Sequence, residues 1–213
     1  MKTRVIQVNA KNPQPEVIQQ TCEALRRGAL VAFPTDTLYA LGANALDTTA
    51  VERVITVKGR HSGKPLSVLV PSLEEGTGLA AQLSEGARSL METFWPGALT
   101  IVVKASPRLP SLLTAASGTI GLRMPAGPVA RALLASFAGP IIGTSANKAG
   151  GADPADAKTV QKAIGGQIDL ILDGGRVTLG VPSTVIDCTI LPARILREGA
   201  IARTTLEAKI ALA

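Results

Sequence analysis

Three stretches of the chain concentrate hydrogen-bonding and charged groups where a fold alone would not ask for them. The first, Pro34-Thr35-Asp36-Thr37-Leu38-Tyr39-Ala40-Leu41-Gly42, follows the apolar run Leu30-Val31-Ala32-Phe33. Hydroxyls and a carboxylate at the end of a buried strand stand where open α/β sheets bind ligands. A proline-led turn that satisfies its own backbone is the plain alternative. The second, Lys58-Gly59-Arg60-His61-Ser62-Gly63-Lys64-Pro65-Leu66, brings Lys58, Arg60 and Lys64 close together. Arginine offers phosphate oxygens a fork of donors and lysine a mobile point charge, although a bare charge cluster is more often a solvated loop. The third, Gly143-Thr144-Ser145-Ala146-Asn147-Lys148-Ala149-Gly150-Gly151-Ala152-Asp153-Pro154, follows another apolar run. Its small residues let a ligand approach the backbone while Ser145 and Asn147 supply hydrogen bonds. A flexible glycine-rich loop explains the same composition equally well.

Several familiar chemistries are missing. The sequence has neither the G-x-x-x-x-G-K-[ST] phosphate loop nor the G-x-G-x-x-G fingerprint. A nucleotide would have to be held by another arrangement. His61 is the only histidine. It sits in a cationic loop, so a hydrolase triad and a zinc site are both disfavoured. The five aromatic residues are too few to stack successive bases of a single strand. A net charge of +6 suits an anionic partner, be it nucleotide, tRNA or phosphate, and does not choose among them. Cys22 and Cys188 are far apart in sequence, which suggests reduced thiols and a cytoplasmic protein. There is neither a signal-like N-terminus nor an apolar run of membrane-spanning length, so no membrane partner is expected.

These stretches must be positioned by alternating strands and helices, the pattern of an α/β domain. Pro15 to Arg27 predicts a helix with Ile18, Cys22 and Leu25 on one face and Gly28 as its stop. Leu30 to Phe33 predicts a strand. Thr49 and Glu52 have capping-box spacing ahead of Val51, Val54 and Ile55. Leu66 to Val70 predicts a strand, Ser84 caps a helix ended by Pro96-Gly97, and Leu99 to Val103 and Ile120 to Arg123 predict strands. Val129 to Phe137 and Ala157 to Ile164 predict helices, with a strand from Pro140 to Gly143 between them. Leu170 to Leu172, Ser183 to Cys188 and Arg194 to Leu196 predict late strands, and Leu206 to Leu212 a terminal helix. With no repeat or linker, residues 1–213 read as one domain.

Taken together, the chain resembles the YrdC family of threonylcarbamoyl-AMP synthases from about Leu30 to Ala200. The resemblance rests on eight pieces in family order. They are Pro-Thr-Asp-Thr-Leu-Tyr at 34–39, Lys-x-Arg at 58–60, Lys-Pro-Leu at 64–66, Trp-Pro-Gly-Ala-Leu-Thr at 95–100, Gly-Leu-Arg-Met-Pro at 121–125, Ser-Ala-Asn at 145–147, Pro-Ser-Thr-Val-Ile-Asp at 182–187 and Leu-Arg-Glu-Gly-Ala at 196–200. It implies a twisted mixed α/β sheet with flanking helices around a concave basic cavity. By position it implies that Thr37, Leu69, Arg123, Gly143 and Ser183 hold L-threonine, with Arg123 on the carboxylate. Arg60, Lys64, Thr119, Ser145, Asp153 and Arg197 would contact ATP. Lys58, Arg60, Ser145 and Asn147 match a polar quartet of active members. Two departures stand out: Ala40 replaces an expected glycine, and His61 stands where proline often follows Lys-x-Arg.

The implied reaction takes L-threonine, bicarbonate and ATP, with Mg2+ accompanying the nucleotide, to threonylcarbamoyl-AMP and pyrophosphate. Lys58, Arg60, Lys64 and Arg197 would surround the triphosphate, and no general base is evident. The product would pass to a downstream complex that modifies adenosine 37 of tRNA. Direct binding of tRNA or double-stranded RNA stays open. The rival readings are an RNA-binding or ribosome-assembly protein that uses the same basic concavity, and a divergent relative that hydrolyses a nucleotide.

Overall fold

The computed structural model describes residues 2–59 and 65–213. In chain order the elements are β1 (Arg4–Gln7), α1 (Pro15–Arg26), β2 (Val31–Pro34), β3 (Tyr39–Gly42), α2 (Thr48–Lys58), β4 (Ser67–Leu69), α3 (Leu73–Gly78), β5 (Ala80–Gln82), α4 (Glu85–Phe94) and β6 (Leu99–Ala105). Then follow α5 (Ser111–Thr114), β7 (Thr119–Arg123), α6 (Pro128–Phe137), β8 (Ile141–Ile142), β9 (Thr144–Ser145), α7 (Ala157–Ile164), β10 (Leu170–Asp173), β11 (Thr184–Asp187), β12 (Arg194–Arg197) and α8 (Arg203–Glu207). The fold is mixed α/β, as the alternation predicts. Its strands divide between two sheets, one in the order β1-β10-β2-β3-β9 and the other β12-β11-β6-β7-β4-β8 with β5 beside β6. Both combine parallel and antiparallel pairs.

Strand β2 shows why the sequence reads as a plain apolar run. Successive side chains of a strand point to opposite faces. Leu30 and Ala32 join one buried cluster, with Val54 of α2 and Val160 of α7. Val31 and Phe33 join another, with Leu25 of α1 and Leu133 of α6. Both faces are covered, so no polar alternation remains.

The helix ends follow local chemistry. Asp47, and not Thr49, caps α2, its Oδ1 accepting the amide hydrogens of Thr49 and Ala50 at 3.0 and 3.3 Å. Gly59 ends the helix with φ of +60°, a conformation that favours glycine. The terminal helix lies at Arg203–Glu207, earlier than its apolar residues suggested. Leu206 is its buried residue, and Leu212 pairs with the late strands through a bridge to Ala193. Both cysteines are free and buried. Burial raises the Cys188 thiol to about 12.

The two sheets meet at Gly143. Strand β8 belongs to the second sheet and β9 to the first, with this single residue between them. A Cβ at Gly143 would overlap the Leu69 side chain, so the crossing requires a residue with none.

Candidate ligand site

A cavity of about 210 Å³ opens where the sheets meet. The β2–β3 turn gives it Thr35, Thr37 and Leu38, and the seam at 143–145 gives it Gly143, Thr144 and Ser145. From the second sheet come Ser67 and Leu69 of β4, Thr100 of β6, Arg123 of β7, Ser183 before β11 and Arg197 of β12.

Arg123 is the most constrained charged group in the wall. It is 6% exposed. Its Nε donates to the Gly97 carbonyl at 2.8 Å, Nη1 to Thr37 Oγ1 at 2.7 Å and Nη2 to Asp36 Oδ1 at 2.6 Å. Asp36 is itself fixed by the Ala126 amide, which donates to the same oxygen at 3.1 Å. Burial lowers the guanidinium pKa, and the Asp36 carboxylate opposes that shift. A guanidinium has five N–H donors. With three engaged, one remains on each terminal nitrogen. The expected carboxylate partner therefore has two donors available, and the charge behind them is already matched by Asp36.

Arg197 is held more loosely. Arg197 donates Nε and Nη2 to the Ser183 carbonyl at 3.1 and 2.8 Å, and Nη2 to Ser183 Oγ at 3.1 Å. Ser183 Oγ also lies 2.8 Å from Thr100 Oγ1. Desolvation lowers the Arg197 pKa while the nearby Asp153 charge raises it. Arg197 sits on the edge strand of its sheet and is exposed.

Lys58 reaches under the site and not into it. The side chain is 1% exposed. Its Nζ donates to the Ser145 carbonyl at 2.6 Å, the Asn147 carbonyl at 2.7 Å and Asn147 Oδ1 at 2.9 Å, with Ser145 Oγ further off at 3.3 Å. Ser145 Oγ donates to Asn147 Oδ1, and Asn147 Nδ2 donates to the carbonyls of Gly151 and Ala152. This network shapes the small-residue loop that a flexible-loop reading left free. Those bonds commit the Lys58 ammonium to the loop that carries Ser145.

Of the residues assigned to threonine by resemblance, Thr37, Leu69, Arg123, Gly143 and Ser183 all line the cavity. Of the nucleotide set, Ser145 and Arg197 line it as well. Thr119 opens β7 beside Ser117, at the end of the strand away from Arg123, and Asp153 acts on Arg197 through its charge. Lys58 and Asn147 stand behind the wall. Arg60, His61 and Lys64 lie outside the described residues. Ala40 sits in ordinary strand register opposite Phe33 and Ser145, so its methyl group is accommodated. Asp36, Thr35 and Thr100 entered the sequence reading only as members of longer stretches, with no role of their own. Asp36 and Thr35 belong to the polar stretch at the strand end, which is the signal that could have found them.

A family model for Sua5, YciO and YrdC proteins, described as telomere recombination, matches residues 23–199. A protein of Pyrococcus abyssi named threonylcarbamoyl-AMP synthase is 42% identical over 183 residues, covering 86% of this chain and 54% of its own length. One of the same name from Bacillus subtilis is 39% identical over 205 residues, covering 96% of this chain and 58% of its own. The chain thus spans a little over half the length of these relatives. The crystal structure of P. abyssi Sua5 complexed with L-threonine matches with a TM-score of 0.94 at 38% identity, covering 99% of this chain and 63% of that one.

Proposed function

We propose that this chain, which belongs to the Sua5/YciO/YrdC family, is an L-threonylcarbamoyladenylate synthase, a nucleotidyltransferase acting on L-threonine, bicarbonate and ATP. The observation that carries the reading is the pairing of Arg123 with Thr37 at the cavity wall. Arg123 Nη1 donates one N–H to the Thr37 hydroxyl oxygen at 2.7 Å, and the guanidinium keeps two further N–H donors beside that hydroxyl. An α-amino acid presents a carboxylate and an amine on neighbouring atoms, and this wall matches both. The cavity volume of about 210 Å³ supports a small ligand. Sites for drug-sized ligands run to about 300–1,000 Å³.

In this reading Arg123 and Thr37 hold the amino acid, Leu69 and Gly143 shape its pocket, and Ser183 completes the wall. The nucleotide is too large to share the cavity and extends past Ser145 and Arg197. Arg60, Lys64, Thr119 and Asp153 are assigned to it by family position. Mg2+ enters with ATP, held by phosphate oxygens and water. Amine and bicarbonate give N-carboxythreonine and water. The new carboxylate then attacks the α-phosphorus, and pyrophosphate leaves. Positioning and charge neutralisation are the protein's share of the work. Lys58 and Asn147 act through the loop that carries Ser145.

The product would serve threonylcarbamoylation of tRNA adenosine 37 through a downstream transfer complex. Free cysteines fit a cytoplasmic setting, and among the described residues no helix is long and apolar enough to cross a membrane. The test is pyrophosphate release from ATP, Mg2+ and bicarbonate, with and without L-threonine, with mass detection of the adenylate. Threonine-dependent release with the expected adduct is the predicted result. ATP consumption indifferent to threonine would overturn the reading.

A further inference from the structure

We propose that Thr35 locks the Thr37 hydroxyl as an acceptor toward the cavity, so that a bound amino acid places its amine at Thr37 with the nitrogen lone pair free. The inference rests on the amino-acid-binding reading above and deepens it by giving Thr35 a positioning role.

A hydroxyl has one proton and two lone pairs. Thr35 Oγ1 donates its proton to the Leu38 carbonyl at 2.7 Å and accepts the Thr37 amide hydrogen at 3.1 Å. Thr37 Oγ1 lies 3.0 Å from Thr35 Oγ1. The Thr35 proton is already engaged, so the proton in that contact belongs to Thr37. Thr37 Oγ1 also accepts Arg123 Nη1–H at 2.7 Å. One lone pair is left on Thr37, and no proton. The two threonines are 6% and 3% exposed, so bulk water does not reopen the arrangement.

The polarity matters for the chemistry. Carboxylation of the amine uses its lone pair: the N–C bond forms, a C–O bond of bicarbonate breaks, and one amine proton leaves in the water produced. A hydroxyl able to donate would hold that lone pair in a hydrogen bond. A hydroxyl that can only accept takes an N–H and leaves the pair to react.

Thr35→Val keeps the shape and removes the lock, while Thr35→Ser keeps the hydroxyl. The first readout is NMR titration of 15N-amine L-threonine bound to each protein without nucleotide. In the valine variant the freed Thr37 proton can reach the neutral amine, so the bound-amine pKa should fall by about one unit, the tenfold preference of one net hydrogen bond. Asp36, Arg123 and Arg197 are common to all three proteins, so their charges cancel in the comparison. The second readout is threonine-dependent pyrophosphate release, at a pH where the bound amine is neutral in every protein. There kcat should fall about tenfold in the valine variant while the threonine KM stays within about threefold. The serine variant should restore both readouts. An unchanged amine pKa, or an unchanged kcat in folded Thr35→Val, would overturn the lock, as would a loss confined to KM. Wild-type protein that binds threonine without turnover would sink the synthase reading, and the NMR arm would still decide the lock. Wild-type protein that binds no threonine would sink both.

Discussion

Arg123 and Arg197 line one cavity from two strands of the same sheet, and they are held in different ways. Arg123 rises from a strand inside its sheet and divides its donors among a carbonyl, a hydroxyl and a carboxylate from separate parts of the chain. Arg197 stands on an edge strand and, among the described residues, directs its hydrogen bonds at Ser183 alone. The first belongs to the frame, and its charge is matched before a ligand arrives. The second keeps more of its freedom and more of its field. Two arginines in one pocket are thus different instruments: one fixes orientation, and the other can follow a bulkier, more highly charged group.

The sharpest way to break this comparison is Asp36→Ala. It leaves a buried guanidinium unmatched, and removing one partner of such a pair costs about 3–5 kcal/mol. Urea denaturation should show that loss. A shift below about 1 kcal/mol would place Arg123 with the surface pairs instead. Arg123→Lys is the next largest. It keeps a cation and loses the fork. A charge-assisted hydrogen bond is worth about 1.5–3 kcal/mol, so the threonine requirement should rise about 10- to 100-fold by initial rates. An unchanged requirement would remove the fork from amino-acid recognition.

A third cation extends the test. Lys58→Met should leave the Asn147 carbonyl without its donor and cost about 1–3 kcal/mol. Amide exchange at Ala149 and Gly151 should speed up, because the Ala149 amide ties the loop to the Lys58 carbonyl and the Gly151 amide closes a turn on Lys148 within it. Exchange at the wild-type rate would relieve Lys58 of its bracing role. The smallest effect on the fold belongs to Arg197→Ala, with less than about 1 kcal/mol by urea denaturation, as for exposed charged groups. Its ATP requirement should rise about tenfold, while calorimetric threonine binding without nucleotide changes little. A threonine affinity that falls with the ATP affinity would erase the contrast between the two arginines.

The sequence made some of this legible and hid the rest for physical reasons. Helix α7 was readable to the residue, because Ala157, Val160 and Ile164 repeat on one face. Strand β3 was not. Tyr39–Gly42 is buried on both faces and follows a polar turn, so it carries no alternation. Helix α3 contains two glycines, which lowers its propensity, and Ser72 caps it all the same. In the site, Arg123 was found through the family resemblance, at the end of a predicted strand. Its partner was not, since Asp36 lies 87 positions away and only the folded sheets bring the two together. Lys58 was visible as charge, yet its burial under the 145–152 loop depends on a helix end and a loop that no local spacing relates. Hydrogen-bond polarity lies further still from sequence, because the direction of the Thr37 proton depends on what Thr35 has already bonded.

Gly143 is the one-residue seam between the two sheets, and the cavity takes its lining from both. The ligand seat lies across that join, which is also sewn by the Ile142 amide on the Ala43 carbonyl and by apolar clusters shared between the sheets. Whatever fills that seat acts as a rivet. Ligand binding confined to the folded state adds RT ln(1 + [L]/Kd) to its stability, and here that free energy falls on the join between the sheets. Filling the seat and stiffening the seam would then be one event.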